Sequence, residues 1–243
     1  MRVRIQFSKL GKIRFTSHRD VARIWERALR RARLPVAYSE GFNPRPRLSF
    51  GLALSTGHES DAEYIDIELD PERVETLDVE SLPALLSAQL PVGLTATAVV
   101  VIDRRMPSLQ QAVTSCTWQI DVIDVDADVV QDAVERALAA DSMVVTRERK
   151  GKQVTDDLRP LVLSIDVEPP IEDGAQNEQS VRLLAELGTQ PRAVRVSELL
   201  AALDPPLTEW RVHRLHQWII TDDDQRTDPI AVAAPLSAPV GAT

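Results

Sequence analysis

Apolar and polar residues alternate over the first seven positions of the chain, which is the period-2 pattern of a strand with one buried face. The apolar positions are Val3, Ile5 and Phe7, and Arg2 and Arg4 lie between them. The pattern therefore predicts a half-buried strand whose outer face is basic.

The period then changes to three or four residues, which predicts an amphipathic helix over residues 17–33. Ser17, with Asp20 three places later, forms a weak capping box at its start. The apolar stripe consists of Val21, Ile24, Trp25, Ala28, Leu29 and Ala32. The opposite side carries Arg19, Arg23, Arg27, Arg30 and Arg31. Like charges four residues apart destabilise a helix by about 0.2–0.5 kcal/mol per pair, which favours a functional reason for them over an ordinary solvated face.

The order strand, helix, strand, strand, helix, strand is predicted twice along the chain. The first series uses strands at 1–7, 48–54, 62–69 and 94–102 and helices at 17–33 and 72–90. The second uses strands at 117–124, 161–167, 180–187 and 209–221, helices at 126–140 and 196–203, and a hairpin at 143–155. This order is typical of the split βαβ unit.

We therefore predict an α+β protein with two ferredoxin-like (split βαβ) domains in tandem. The basic N-terminal domain covers residues 1–104 and the C-terminal domain covers residues 114–221. Residues 222–243 are rich in Asp, Ala and Pro, and this composition predicts a disordered tail.

A stiff loop is predicted at residues 38–47, because proline fixes φ and glycine permits positive φ. It contains Tyr38, Phe42, Asn43, Arg45 and Arg47. A rigid loop that carries flat rings and guanidinium groups is typical of a surface that binds something planar and anionic. The alternative is a proline-rich connector in which Phe42 merely fills the core.

The charge of the chain is unevenly distributed. The net charge is −9, but residues 1–50 contain 13 Lys and Arg against three Asp and Glu, or +10, and the remaining residues contain 15 against 34, or −19. Six of the ten aromatic residues also lie in the first fifty. A local basic field attracts phosphate whatever the total charge, so we expect a nucleic-acid partner at this end.

Several classes of chemistry have no signature in the sequence. Cys116 is the single cysteine, so the chain offers no intramolecular disulfide or cysteine set for a cluster. Phosphate-binding, hydrolase and zinc-protease motifs are missing, and His213 and His216 are not expected to share a metal. We therefore expect neither a metal nor a cofactor in this chain. Without a signal peptide or an apolar run of membrane length, the expected location is cytoplasmic.

His18 is the one candidate for acid–base chemistry, because it follows the first strand at the start of the arginine-rich helix. A local hydrogen bond or a phosphate contact is the alternative role. The predicted RNA-binding residues are Arg2, Arg4, Arg14, His18, Arg19, Arg23, Arg27, Arg30, Arg31, Tyr38, Phe42, Asn43, Arg45 and Arg47.

Four stretches of the chain resemble the radical-SAM-linked protein family. They run from Lys12 to Asp20, from Arg27 to Ala32, from Tyr38 to Pro46 and from Leu48 to Glu63. Members of that family are fused to, or encoded beside, B12-binding-type radical S-adenosylmethionine proteins. The resemblance implies a partner chain that carries the iron–sulfur cluster. On this basis we expect a non-catalytic accessory subunit that presents tRNA or rRNA to the radical enzyme for modification.

The chain is also similar, more loosely, to the CRISPR repeat-processing endoribonucleases, which pair two ferredoxin-like domains and often place a histidine after the first strand. It lacks their Gly-rich loop near the C-terminus. Two alternatives therefore stand beside the accessory subunit. One is a metal-independent RNA-processing or RNA-modifying enzyme that uses His18, and the other is a protein–protein adaptor for the radical enzyme.

Overall fold

The protein is described from a computed structural model, which covers residues 1–74, 77–149, 151–168, 180–221 and 223–233. The chain divides into two compact units. The first contains residues 1–56, 62–112 and the described residues after 218, and the second contains residues 57–61 and 113–218. The division differs from the predicted domain boundaries, because the short segment 57–61 belongs to the second unit and the end of the chain returns to the first.

The strands are β1 Arg2–Lys9, β2 Leu48–Phe50, β3 Glu59–Glu68, β4 Leu94–Ile102, β5 Val113–Ile123, β6 Val144–Arg149, β7 Lys152–Asp157, β8 Val162–Glu168, β9 Ser180–Gly188, β10 Thr208–Ile220 and β11 Arg226–Thr227. The α-helices are α1 His18–Arg31, α2 Leu82–Ser87, α3 Leu109–Ala112, α4 Ala127–Ala139 and α5 Val196–Ala202. Short 3₁₀ turns lie at Gly11–Phe15, Pro71–Arg73, Arg159–Leu161 and Ala231–Ala233. Among the described residues of the helix predicted over 72–90, the helical elements are α2 and the end of the 3₁₀ turn Pro71–Arg73, so α2 is much shorter than the predicted helix.

In the first unit, β1 lies between β4 and β3, and β2 pairs with β3. The β1–β4 and β2–β3 pairs are both antiparallel, and a bulge interrupts the β1–β4 register between Gln6 and Phe7. Alternate residues of β1 and β3 pack with α1 and α2 in one apolar core. Its completely buried members include Ile5, Trp25, Ile65 and Leu86.

In the second unit, the strand order is β10, β5, β9, β8. The β5–β9 and β8–β9 pairs are antiparallel, and β6 and β7 form a separate hairpin. Glu59 and Ser60, at the start of β3, pair in parallel with His213 and Arg214 of β10. This pairing explains why the segment 57–61 belongs to the second unit.

The basic outer face predicted for β1 was wrong. Arg4 is 1% exposed, and its guanidinium donates to both carboxylate oxygens of Asp66. Arg2 donates to the same carboxylate at 2.7 Å and to the carbonyl of Met106. Because successive residues of a strand point to opposite faces, these arginines lie on the face of β1 that turns away from α1. That face is buried at Arg4 and partly covered at Arg2.

The disordered tail predicted for residues 222–243 was wrong over residues 223–233, and residues 222 and 234–243 lie outside the described part. Strand β11 pairs with the end of β10 at Ile219 and Ile220. Asp228 accepts a hydrogen bond from the Tyr64 hydroxyl at 2.7 Å, and the Pro229 carbonyl accepts one from Arg4 at 3.1 Å. These partners order a segment whose composition alone suggests disorder.

Candidate nucleic-acid interface

Helix α1 separates its apolar and basic residues onto opposite sides. Its start is capped by Ser17, whose side chain accepts a hydrogen bond from the Asp20 amide. Val21, Trp25, Ala28 and Leu29 are buried in the core of the first unit. The positions on the other side of the helix are therefore directed to solvent.

That solvent side carries the arginines Arg19, Arg23, Arg27, Arg30 and Arg31, and all five are exposed. We call this set the arginine face. Neighbours three or four residues apart on a helix lie about 5–6 Å from one another at Cβ, and the set extends over about 18 Å of helix axis. Their exposure confirms the helical periodicity, and their role in binding stays a prediction.

Two members of the arginine face have partners in the first unit. Arg23 forms an exposed ion pair with Asp20 at 3.0 Å. The Ser17 hydroxyl, followed by Arg23, holds the pKa of Asp20 below its usual range. Arg31 donates a hydrogen bond to the carbonyl of Gln89. Within the described part of the chain, no carboxylate lies at ion-pairing distance from Arg19, Arg27 or Arg30, so these cations remain available to an anionic ligand.

The loop 38–47 is closed at its base by backbone contacts. Tyr38 and Pro46 form an isolated β-bridge, and Ser39 and Arg45 exchange two hydrogen bonds at 2.9 and 3.0 Å. Gly41 has a φ of +121°, a conformation that other residues rarely adopt. The loop therefore has a fixed base and a sharply turned tip.

The tip of this loop presents its side chains to solvent. Phe42 is completely exposed, so the alternative in which it fills the core was wrong. Tyr38 is half exposed, and Asn43 and Arg45 are exposed. Arg47 pairs with Glu68 at 3.1 Å, and both side chains remain accessible. An exposed ring beside exposed cations is the arrangement that the sequence predicted for this loop.

Arg2 and Arg4 do not belong to this surface, because both are tied to Asp66 inside the first unit. Burial therefore contradicts the prediction of Arg4 as an RNA-binding residue, and the guanidinium of the partly exposed Arg2 is occupied by Asp66 and the Met106 carbonyl. Arg14 is half-buried, and its guanidinium lies 4.7 Å from the ring centroid of Phe15.

His18 is exposed at the first position of α1, and its ring packs edge-on against Phe50 at 5.3 Å between centroids. A small cleft there is also lined by Lys9, Glu63 and Tyr64. Lys9 is 2% exposed and donates to the carbonyls of Arg14 and Thr16 at 3.1 and 3.0 Å. Sequence reasoning missed Lys9 and Glu63, whose only local signal is a charged residue at a core-facing strand position.

In the second unit, His58 is buried, and its Nε2 lies 3.3 Å from the Glu209 carboxylate. This hydrogen bond holds the pKa of Glu209 below its usual value. The pair joins residues 151 positions apart, so no local pattern indicates it. Within the described ranges, no cluster of three or more His, Cys, Asp or Glu side chains has a geometry that holds a metal ion.

Together these elements define a mixed α/β protein with an exposed basic helix on its first unit. The family model "Uncharacterized protein conserved in bacteria (DUF2344)" matches residues 2–195. The chain belongs to this family.

Comparison with curated proteins gives no match. Among solved structures, the chain is similar to one in the crystal structure of a Cbf5–Nop10–Gar1 complex, with 9% identity and a TM-score of 0.47. The match covers 88% of this chain and 48% of the other, so the chain spans about half the length of that relative. The described segments contain no helix with the length and apolar character needed to cross a bilayer.

Proposed function

We propose that this protein is a non-catalytic RNA-binding subunit that presents RNA to a radical S-adenosylmethionine enzyme. The observation that carries the proposal is the arginine face, in which Arg19, Arg27 and Arg30 are exposed without a carboxylate partner among the described residues. Guanidinium groups suit phosphate, because they offer a planar fork of donors and keep their charge at every physiological pH.

The charge distribution supports a polyanion as the ligand. Residues 1–50 contribute +10 to a chain whose net charge is −9. An extended anion can contact the arginine face at several points and release counterions at each, which gives affinity without sequence specificity. The acidic remainder of the chain repels the polyanion, so we expect it to bind to the surface that residues 1–50 form.

For the fold behind this function we infer two split βαβ units. In the first, the chain order is β1, α1, β2, β3, α2, β4, and the spatial order of the strands is β4, β1, β3, β2. In the second, apart from the hairpin β6–β7, the chain order is β5, α4, β8, β9, α5, β10, and the spatial order of the strands is β10, β5, β9, β8. If the four strands of each unit are numbered along the chain, the fourth lies beside the first, the first beside the third and the third beside the second in both units. This shared order supports the ferredoxin-like assignment.

The radical enzyme enters the proposal through the motifs between Lys12 and Glu63 that resemble the radical-SAM-linked proteins. A radical enzyme of this kind needs a cluster held by several cysteines, and this chain has Cys116 alone. The proposal therefore assigns the cluster and the chemistry to the partner and RNA contact to this chain. Co-purification of the full chain from its own cell tests this assignment, since recovery of RNA without a cluster-bearing protein would contradict it.

RNA binding is tested by fluorescence anisotropy with a labelled tRNA and the full chain at 50 and 200 mM salt. We expect affinity that falls steeply with salt, because each phosphate contact releases a counterion. The triple variant Arg19→Gln/Arg27→Gln/Arg30→Gln should lower the affinity at least tenfold and flatten the salt dependence. The matched control removes three exposed cations elsewhere, at Arg104, Lys152 and Arg211.

Equal loss in the two triple variants would mean that total charge, and not the arginine face, governs binding. Absence of binding by the unmodified protein at 50 mM salt would reject RNA as the ligand. A radical enzyme that binds the unmodified protein but not the Arg19→Gln/Arg27→Gln/Arg30→Gln variant would instead favour the adaptor function.

The cleft at His18 favours a second function, in which the chain processes RNA itself. A titratable ring lies there beside Lys9, Glu63 and Tyr64, and such groups supply acid–base catalysis without a metal. Cleavage or modification of RNA by the purified chain, lost in His18→Gln while binding is kept, would support this function. Full activity in His18→Gln would reject it.

A further inference from the structure

Three aromatic rings are exposed in the basic part of the first unit. Phe15 is 62% exposed, Tyr38 is 51% exposed and Phe42 is completely exposed. Exposed apolar residues are common singly, but rings of this size usually bury most of their surface. Tyr38 and Phe42 are among the binding residues predicted from the sequence, and Phe15 is not.

Phe15 lies at the entrance to the arginine-rich helix. It ends the 3₁₀ turn Gly11–Phe15, three residues before α1 begins at His18. The guanidinium carbon of Arg14 lies 4.7 Å from the ring centroid, a cation–π distance. The ring and the guanidinium together form a flat, cationic platform with more than half of the ring open to solvent.

Phe42 is held on a loop whose base is fixed by the Tyr38–Pro46 bridge and the Ser39–Arg45 hydrogen bonds. Because the loop is already ordered, a base that stacks on the ring has less conformational entropy to remove than on a floppy segment. Arg45, on the same loop, is exposed and can contact the adjoining phosphate. The loop thus combines the two groups that an unpaired nucleotide requires.

We infer that the RNA ligand is bound through unpaired nucleotides, with Phe15 and Phe42 as base-stacking residues. This inference rests on the proposed RNA-binding function. In an A-form duplex the faces of the bases are covered by their neighbours, and a protein meets only phosphates, 2′-hydroxyls and base edges. Arginines alone suffice for a duplex, whereas exposed rings gain energy only from bases whose faces are open.

The test compares two labelled RNAs by fluorescence anisotropy with the full chain. One is a 12-nucleotide strand without self-complementarity, and the other is the same strand in a blunt duplex. We expect the single strand to bind at least tenfold more tightly than the duplex. Phe15→Ala and Phe42→Ala should each weaken the single strand by about fivefold to a hundredfold, which corresponds to the loss of one stacked base, and should change duplex binding less than twofold.

Two further variants distinguish stacking from altered folding. Phe42→Tyr keeps an aromatic ring and should retain the affinity for the single strand. Val92→Ala removes apolar surface at another completely exposed position of the first unit and should have no effect. Because Phe15, Phe42 and Val92 are all exposed, we expect each of the four variants to keep the melting temperature of the unmodified protein.

The outcomes separate this inference from the function on which it rests. Equal or tighter binding of the duplex would overturn it, and so would full affinity of both alanine variants for the single strand, while RNA binding itself stood. If neither RNA bound at 50 mM salt, the proposed function would fail and this inference with it.

Discussion

The guanidinium of Arg4 donates from Nε to Oδ1 of Asp66 at 2.8 Å and from Nη2 to Oδ2 at 3.1 Å. Both side chains are almost completely buried. Arg2 donates to the same carboxylate at 2.7 Å. The carbonyl of Pro229 accepts a hydrogen bond from Nη1, the other terminal nitrogen of Arg4. A residue whose sequence context suggests a surface cation is therefore a structural part of the first unit.

Replacing Arg4 with Met should destabilise the protein strongly. The substitution keeps an unbranched side chain of similar length but leaves a buried carboxylate with fewer partners, which typically costs about 3–5 kcal/mol. Urea unfolding measures the change, with Arg104→Met at an exposed position as the control. A loss below about 1 kcal/mol would show that Arg2 alone satisfies the carboxylate of Asp66.

Replacing Tyr64 with Phe should loosen the C-terminal segment. The Tyr64 hydroxyl donates to the Asp228 carboxylate at 2.7 Å, and a hydrogen bond to a charged group contributes about 1.5–3 kcal/mol. We expect faster tryptic cleavage at Arg226 and a lower free energy of unfolding. Tyr38→Phe removes an exposed hydroxyl and should change neither quantity. Unchanged cleavage in Tyr64→Phe would mean that pairing of β11 and the Arg4–Pro229 hydrogen bond hold the segment without the Tyr64 hydroxyl.

The Glu209–His58 hydrogen bond should make stability depend on pH. The pKa of Glu209 is lowered in the folded protein, so its contribution is present above the unfolded value of 4.5 and is lost as the pH falls through the folded pKa. Glu209→Gln should therefore lower the free energy of unfolding at pH 6–7 by at most about 1 kcal/mol, because the carboxylate is partly exposed. The difference should shrink as the pH falls from 4.5 through the folded pKa.

Urea unfolding of the unmodified protein and of Glu209→Gln across pH 3–7 measures the difference in their free energies of unfolding. Glu148→Gln, at an exposed site of the same unit, is the control. A difference that grew as the pH fell would contradict the assignment. A carboxyl titration of Glu209 followed by NMR should give a midpoint below 4.5.

Asp103 should titrate unusually low for an exposed carboxyl. Arg105 donates two hydrogen bonds from its guanidinium and one from its backbone amide to the Asp103 carboxylate, and these, the guanidinium first, lower the pKa of Asp103 to about 2. NMR titration of the carboxyl carbon measures the value directly. Arg105→Gln removes the guanidinium and keeps the amide, so the midpoint should move part of the way toward 3.8. A midpoint that stayed at about 2 in the variant would show that the backbone amide is sufficient.

The sequence by itself determined the arginine face. A helix places residues three and four positions apart on one side, so the periodic apolar stripe that buries Val21 and Trp25 also fixes where Arg19, Arg23 and Arg27 point. The stiffness of the loop 38–47 is also local, since it follows from its own Pro and Gly residues and from hydrogen bonds within the loop. Properties that depend on residues a few positions apart can be predicted from the order of the residues.

Tertiary structure alone decided which strand faces are covered and which rings stay exposed. The period-2 pattern of β1 places Arg4 opposite the core but does not say that Asp66, 62 residues away, lies there with the C-terminal segment over it. Nor does local sequence separate an exposed Phe42 from a buried one, since a ring is buried only if distant parts of the chain supply its contacts. The same reason hides the His58–Glu209 pair, because burial and long-range pairing depend on contacts between residues far apart in the chain, and these form only when it folds.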